Sequence, residues 1–160
     1  FPAIINSPVW KLIFTSKRFA VTCVIVRVYF ATALLFDADG KLLIYLRDDN
    51  PEISFPNCWD LFGGIIEQDV SAEQCLFREV LEELGIAISD FTFWKSFDCD
   101  LNDGRPNRKF VFVAHTDHTP DKLKLDVGQK LISIDLAERK NFRFANILGD
   151  VIDEYASTMH

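Results

Sequence analysis

Residues 63–86 read GGIIEQDVSAEQCLFREVLEELGI, two consecutive glycines followed by one amphipathic helix. Ser71 stands at the N-cap, Gln74 three residues on completes a capping box, and Gly85 supplies the stop, so the spacing predicts a helix over about residues 72–84. At about 100° per residue, Leu76, Phe77, Val80, Leu81 and Leu84 fall on one arc, the predicted buried face. Glu79, Glu82 and Glu83 fall on another. Like charges at this spacing destabilise an isolated helix by a few tenths of a kcal/mol per pair. Two readings are open: a solvated acidic face, or a site for a hard cation, which takes oxygen ligands and is usually held by one or two carboxylates with substrate phosphates. The surroundings favour the cation. Gly63 and Gly64 let the preceding loop approach a ligand closely, and Arg78 lies four residues before Glu82, where it can orient that carboxylate.

Taken in register, this stretch resembles the Nudix box, G-x5-E-x7-R-E-U-x-E-E-x-G-U, where U is a bulky aliphatic residue. Gly64, Arg78, Glu79, Val80, Glu82, Glu83, Gly85 and Ile86 match, which is eight of nine specified positions; Val70 stands where the family has its first glutamate. The resemblance implies an α/β fold, an α/β/α sandwich around a mixed β-sheet. It also implies Mg²⁺- or Mn²⁺-dependent hydrolysis of a pyrophosphate bond in a nucleoside diphosphate linked to another moiety. Glu79, Glu82, Glu83 and Gly63 would then hold metal, and Arg78, Glu82 and Glu83 would carry catalysis. The water-activating base would be Glu82 or Glu83, with Asp126 the third candidate, because Val127 replaces the acid that often precedes the glycine of the family's late loop. The missing glutamate is a helper that steadies the arginine, so its loss bears on efficiency more than on metal binding.

The chain has 160 residues, 49% of them hydrophobic and 15 of them Phe, enough for one domain with a well-filled core. A net charge of −7 excludes a nucleic-acid scaffold protein, whose binding rests on Lys and Arg neutralising phosphates. It leaves a nucleotide substrate open, because bound cations reverse the local field. Cys23, Cys58, Cys75 and Cys99 form no CxxC pair, so neither zinc nor a disulfide framework is signalled and a reducing cytoplasm is expected. Cys75 is either a packed thiol or a neighbour of the site. The apolar run 19–36 contains Arg27, which costs about 2.5–3.5 kcal/mol at the centre of a membrane span, and is rich in strand-forming residues. One long or two short strands are expected there, with no membrane association.

Asp37-Ala38-Asp39-Gly40 predicts a hairpin turn into a strand over 41–47. Pro51 and Pro56 then forbid regular pairing. Trp59-Asp60-Leu61-Phe62 predicts one short strand that delivers the double glycine, and strands are expected over 91–99, 109–114 and 130–134, with a C-terminal helix over about 146–157. Arg47, Trp59, Phe62 and Arg108 are the candidate substrate contacts. Each has a plainer reading as a strand-end cation, a core aromatic or a solvated loop charge. His115 and His118 lack a third ligand and are set aside as metal ligands.

The expected organisation is an N-terminal extension, 1–18, that caps an edge strand or mediates a homodimer, followed by a single domain over 19–160. The substrate class open to it includes oxidised dNTPs, nucleotide sugars and dinucleotides, in the manner of house-cleaning pyrophosphohydrolases. Two alternatives stay open: a GDP-sugar hydrolase cleaving at carbon, and a degenerate domain that binds nucleotide without turnover.

Overall fold

The computed structural model describes residues 27–101 and 104–159. In chain order the strands are β1 (Val28–Phe36), β2 (Leu42–Leu46), β3 (Trp59–Asp60), β4 (Phe62–Ile65), β5 (Phe91–Asp100), β6 (Pro106–His115) and β7 (Lys130–Ile134); the helices are α1 (Ala72–Leu84) and α2 (Leu148–Ser157). β1 is apolar along its whole second half, and its last six residues are buried, as a strand covered on both faces requires. It pairs in parallel with β6 and antiparallel with β2 and β4. The sheet is therefore mixed, ordered β3-β2-β1-β6-β5, with β4 also beside β1 and β7 beside β2. The expected β1–β2 hairpin is present: Gly40 takes φ +74, and Asp37 Oδ1 accepts from the Asp39 and Lys41 N–H groups.

Alternation along β1 divides the core. Ala31, Ala33 and Leu35 face α1 together with Phe62 and Phe112, whereas Leu34 and Phe36 face α2 with Leu61 and Val111. Helix, mixed sheet and helix make the three expected layers. The boundaries of α1, its Ser71–Gln74 capping box and its left-handed Gly85 stop also match expectation.

Three expectations need correction. The stretch 59–62 is two strands, not one, because Asp60 Oδ1 takes the Leu61 N–H at 2.7 Å and withdraws that donor from the ladder; β3 pairs with β2 and β4 with β1. Phe77 and Leu81 are 39% and 44% exposed, and the buried stripe of α1 is Cys75, Leu76, Val80 and Leu84. A thiol is small enough to let the helix close on the glycine strand, where Cys75 Sγ reaches the Ile65 carbonyl at 3.4 Å. Cys75 is thus a packed thiol, raised to about 11 by burial and by Glu79. Finally, α2 begins at Leu148, two residues later than expected. The expectations for 1–18 and for a strand before Arg27 lie outside the described residues. Among the described residues no helix is long and apolar enough to cross a membrane.

Candidate active site

The double glycine and α1 meet at two contacts that only glycine permits. A Cβ on Gly63, which has φ +145, would lie 2.0 Å from the Ala31 carbonyl oxygen, and one on Gly64 would lie 2.5 Å from the Glu79 carboxyl carbon. Glu79 is therefore pressed directly onto the strand backbone. One turn later Glu83 accepts the Gly63 N–H at 3.2 Å. Helix α1 and strand β4 are joined through two of the three carboxylates that the sequence singled out.

Arg78 organises the rest. It donates to Glu79 Oε1 at 2.8 Å and to Glu67 Oε2 at 3.3 Å. Its Nε is buried without a hydrogen bond, with Glu82 Oε1 at 4.0 Å as an ion-pair neighbour only. The hydrogen bond to Glu79 raises the Arg78 pKa further above its ordinary value. Glu67 was missed in the sequence, although it lies in the same loop three residues before Val70. It brings a carboxylate to Arg78 from that loop, and Val70 packs against the core beneath α1. The apolar residue in the box is a packing residue, and the arginine still has a loop partner.

The three box glutamates differ in setting. Glu82 has 39% of its side chain exposed against 19% for Glu79, and Glu83 is half-buried rather than on an exposed arc. Burial pushes the Glu83 carboxyl up to about 9; the Gly63 N–H opposes that, while Glu79, Asp60 and Glu82 add to it. A set of carboxylate oxygens that outnumbers its one cation, Arg78, fits a hard divalent cation. Among the described residues no three acidic, His or Cys side chains are gathered closely enough to cage an ion by themselves.

Behind Glu83 lies a buried polar group. Arg47 Nη1 donates to Asp60 Oδ2 at 2.6 Å and its Nε to the Ser54 carbonyl at 3.1 Å; the Tyr45 hydroxyl is 3.5 Å from the same Asp60 oxygen. Burial raises the Asp60 carboxyl, against the pull of Arg47 and the Leu61 N–H. Burial, then Asp60 and Glu83, raise the Tyr45 hydroxyl.

The expected substrate contacts are distributed as follows. Arg47 is engaged by Asp60 and by the 48–58 loop through Nη1 and Nε, and so braces the site. Phe62 is fully buried under α1 with its ring 5.2 Å from Tyr45; its ring is a core element. Trp59 packs edge-on to Phe142 within the α2-side cluster. Arg108 forms a bidentate pair with Asp98 at 2.8 and 2.9 Å, and strand alternation turns it away from its neighbour Lys109, which is buried. Asp126 comes close through its backbone, its N–H meeting the Glu83 carbonyl at 2.8 Å, while its carboxylate pairs with Lys124. His115 pairs with Asp90 and His118 with Thr116. An open depression of about 680 Å³ along the first turns of α1, lined in part by Val70, Phe77, Arg78 and Phe91, includes none of the three box glutamates.

A family model described as the NUDIX domain matches residues 27–149. A CTP pyrophosphohydrolase from Escherichia coli (strain K12) is 32% identical over 89 residues, covering 56% of this chain and 60% of that protein. Nucleoside triphosphatase NudI from Salmonella agona (strain SL483) is 37% identical over 84 residues, covering 48% and 58%. The chain thus spans little more than half the length of these curated relatives. The fold of the MutT protein from Methanosarcina mazei Go1 superposes with a TM-score of 0.71 at 20% identity, covering 86% of this chain and 98% of that one.

Proposed function

This chain belongs to the Nudix family, and from that premise we propose that it hydrolyses a pyrophosphate bond of a nucleoside triphosphate with Mg²⁺ or Mn²⁺. The observation that carries the reading is the acidic arc tied to the double glycine: Glu83 on the Gly63 N–H, Glu79 against Gly64 and in the grip of Arg78, and Glu82 beside them. The similarity to a CTP pyrophosphohydrolase and a nucleoside triphosphatase supports the substrate class.

Glu79, Glu83 and the Gly63 backbone would hold the cation, with Glu82 at its edge. Bound there, a divalent cation neutralises the diphosphate and lowers the pKa of water. Arg78 fixes the Glu79 carboxylate, and the Gly63 N–H fixes that of Glu83, so neither must reorganise as charge develops. Glu82 is the most exposed of the three and the most loosely held, which leaves its carboxylate free to take a proton. A water oxygen attacks one phosphorus, its proton passes to Glu82, and the bridging P–O bond breaks with the electron pair leaving on the departing phosphate oxygen.

The test is a nucleotide panel incubated with Mg²⁺, with products identified by mass. A nucleoside monophosphate and pyrophosphate are expected, and Glu83→Gln abolishes them while melting at a nearly equal temperature in EDTA, because burial already holds the metal-free Glu83 carboxyl up to about 9 and the amide oxygen can still accept the Gly63 N–H. Free sugar and GDP would shift the reaction to carbon; binding without product would make the domain a nucleotide binder. Near wild-type activity in Glu83→Gln would overturn the site.

A further inference from the structure

Lys109 stands where a lysine costs stability. It lies on β6, is 7% exposed, and holds its ammonium 4.2 Å from the centre of the Phe30 ring. No hydrogen bond or ion pair joins that ammonium to another described residue. Burial lowers its pKa below the ordinary lysine value. Cys99 and Asp60 lie near enough to favour the charged form and Arg47 opposes it, yet a largely desolvated ammonium with no hydrogen bond of its own is favoured by a ligand that supplies an acceptor.

The neighbours on this face suggest the ligand. Lys109 sits beside Phe30 on one side and Phe97 on the other, on the sheet face away from α1. Asn107, one place along the face, is locked by Cys99, its amide nitrogen donating to the Cys99 carbonyl at 2.9 Å and its oxygen accepting from the thiol. Thr32 is buried, and its hydroxyl forms no hydrogen bond with the described residues. Across β1 the same face continues to Ile65 opposite Phe30 and Gly63 opposite Thr32. Gly63 is the residue whose N–H holds Glu83. Lys109 thus lies roughly 12 Å from Gly63, by two residues of strand rise and two strand spacings across β1, about the span from a nucleotide's inner phosphates to the far edge of its base. The Phe30 ring beneath the ammonium suits a flat base, and an ammonium without a hydrogen bond to a described residue takes an acceptor oxygen.

We propose that Lys109 is a specificity-determining residue that donates to a keto oxygen of the substrate's base, seated by Phe30, so that guanine-, uracil- and cytosine-type nucleotides are selected over adenine, which has no such oxygen. The inference rests on the nucleotide reading of the acidic arc and adds the base. A site built to donate to a substrate oxygen rejects an analogue that lacks it, because the buried donor is then left unpaired.

The experiment measures kcat/KM for GTP, UTP and ATP, melting temperatures, and calorimetric binding of GMP, UMP and AMP, for wild type, Lys109→Met and Lys109→Gln. Wild type is expected to prefer GTP and UTP over ATP by about tenfold or more. Lys109→Met lowers kcat/KM for the keto substrates by about 10- to 100-fold, the worth of a hydrogen bond to a charged group, through KM, and leaves ATP within a few fold. Lys109→Gln, which keeps a neutral donor, retains part of the preference. Both variants melt no lower than wild type. Equal losses for GTP and ATP would make Lys109 a phosphate contact, a lowered melting temperature would make it structural, and a wild type indifferent to the base would have no such contact; each overturns the proposal. If no nucleotide is hydrolysed, the enzymatic reading fails, yet binding of GMP and UMP over AMP that is lost in Lys109→Met sustains the inference. Absence of that preference sinks it.

Discussion

At the scale of single residues, the box glutamates are separated by what holds each one. Glu82 is held only by an Arg78 nitrogen at 4.0 Å, while the Asp126 carboxylate is paired with Lys124 at 3.0 Å and meets α1 through its backbone. Glu82→Gln is therefore expected to lower the single-turnover rate by about 10² to 10⁴, the range for loss of a general base, and Asp126→Asn by less than about tenfold. The reverse order would move the base to the late loop. Lys109 gives a second test through pH. Its folded pKa is lowered, so the folded state sheds a proton that the unfolded chain keeps. The destabilisation is present in full at neutral pH and fades as pH rises through the folded value toward 10.5. The stability advantage of Lys109→Met over wild type should shrink over that interval in urea titrations, and an unchanged gap would mean that the lysine is not desolvated.

At the scale of elements, α1 and the loop before it work as one unit. Restoring the family's glutamate with Val70→Glu would place a carboxylate against the core residues that Val70 packs on, where Arg78 is already engaged by Glu67 and Glu79. The expected outcome is a loss of about 1–3 kcal/mol in stability, the usual cost of an unpaired polar group in an apolar setting, with no gain in turnover. A rise in kcat with unchanged stability would show that Arg78 lacked a partner after all. Glu67→Gln, in contrast, should lower kcat while leaving the melting temperature nearly unchanged, because the Glu67 side chain is largely exposed.

At the scale of the whole molecule, the Arg47–Asp60 pair ties β2, β3 and the 48–58 loop to the wall behind Glu83. Neither partner is well exposed. Removing one should leave a buried charge uncompensated: Arg47→Met is expected to cost about 3–5 kcal/mol in denaturant titrations, and the double variant Arg47→Met/Asp60→Leu to recover much of it. A double variant no better than the single would mean that the pair is not a coupled unit. Asp60 and Arg47 also act electrostatically on Lys109, so loss of the brace should show first in stability and also shift the base preference.

The sequence by itself determined α1, its cap and stop, the glycine pair that admits Glu79, and most strands, because caps, turns and periodicity are decided by neighbours along the chain. It also carried the family, since the box is a local pattern. Only the tertiary structure decided that Glu67 meets Arg78 from the loop that holds Val70, that Cys75 rather than Phe77 joins the buried stripe, that Arg47 is spent on Asp60, and that Lys109 rather than Arg108 enters the sheet face. Arg108 and Lys109 are adjacent, and alternation guarantees only that they point to opposite faces. Which face receives which residue depends on the register of β6 against β1, set by packing among strands far apart in sequence, and no local pattern records that choice.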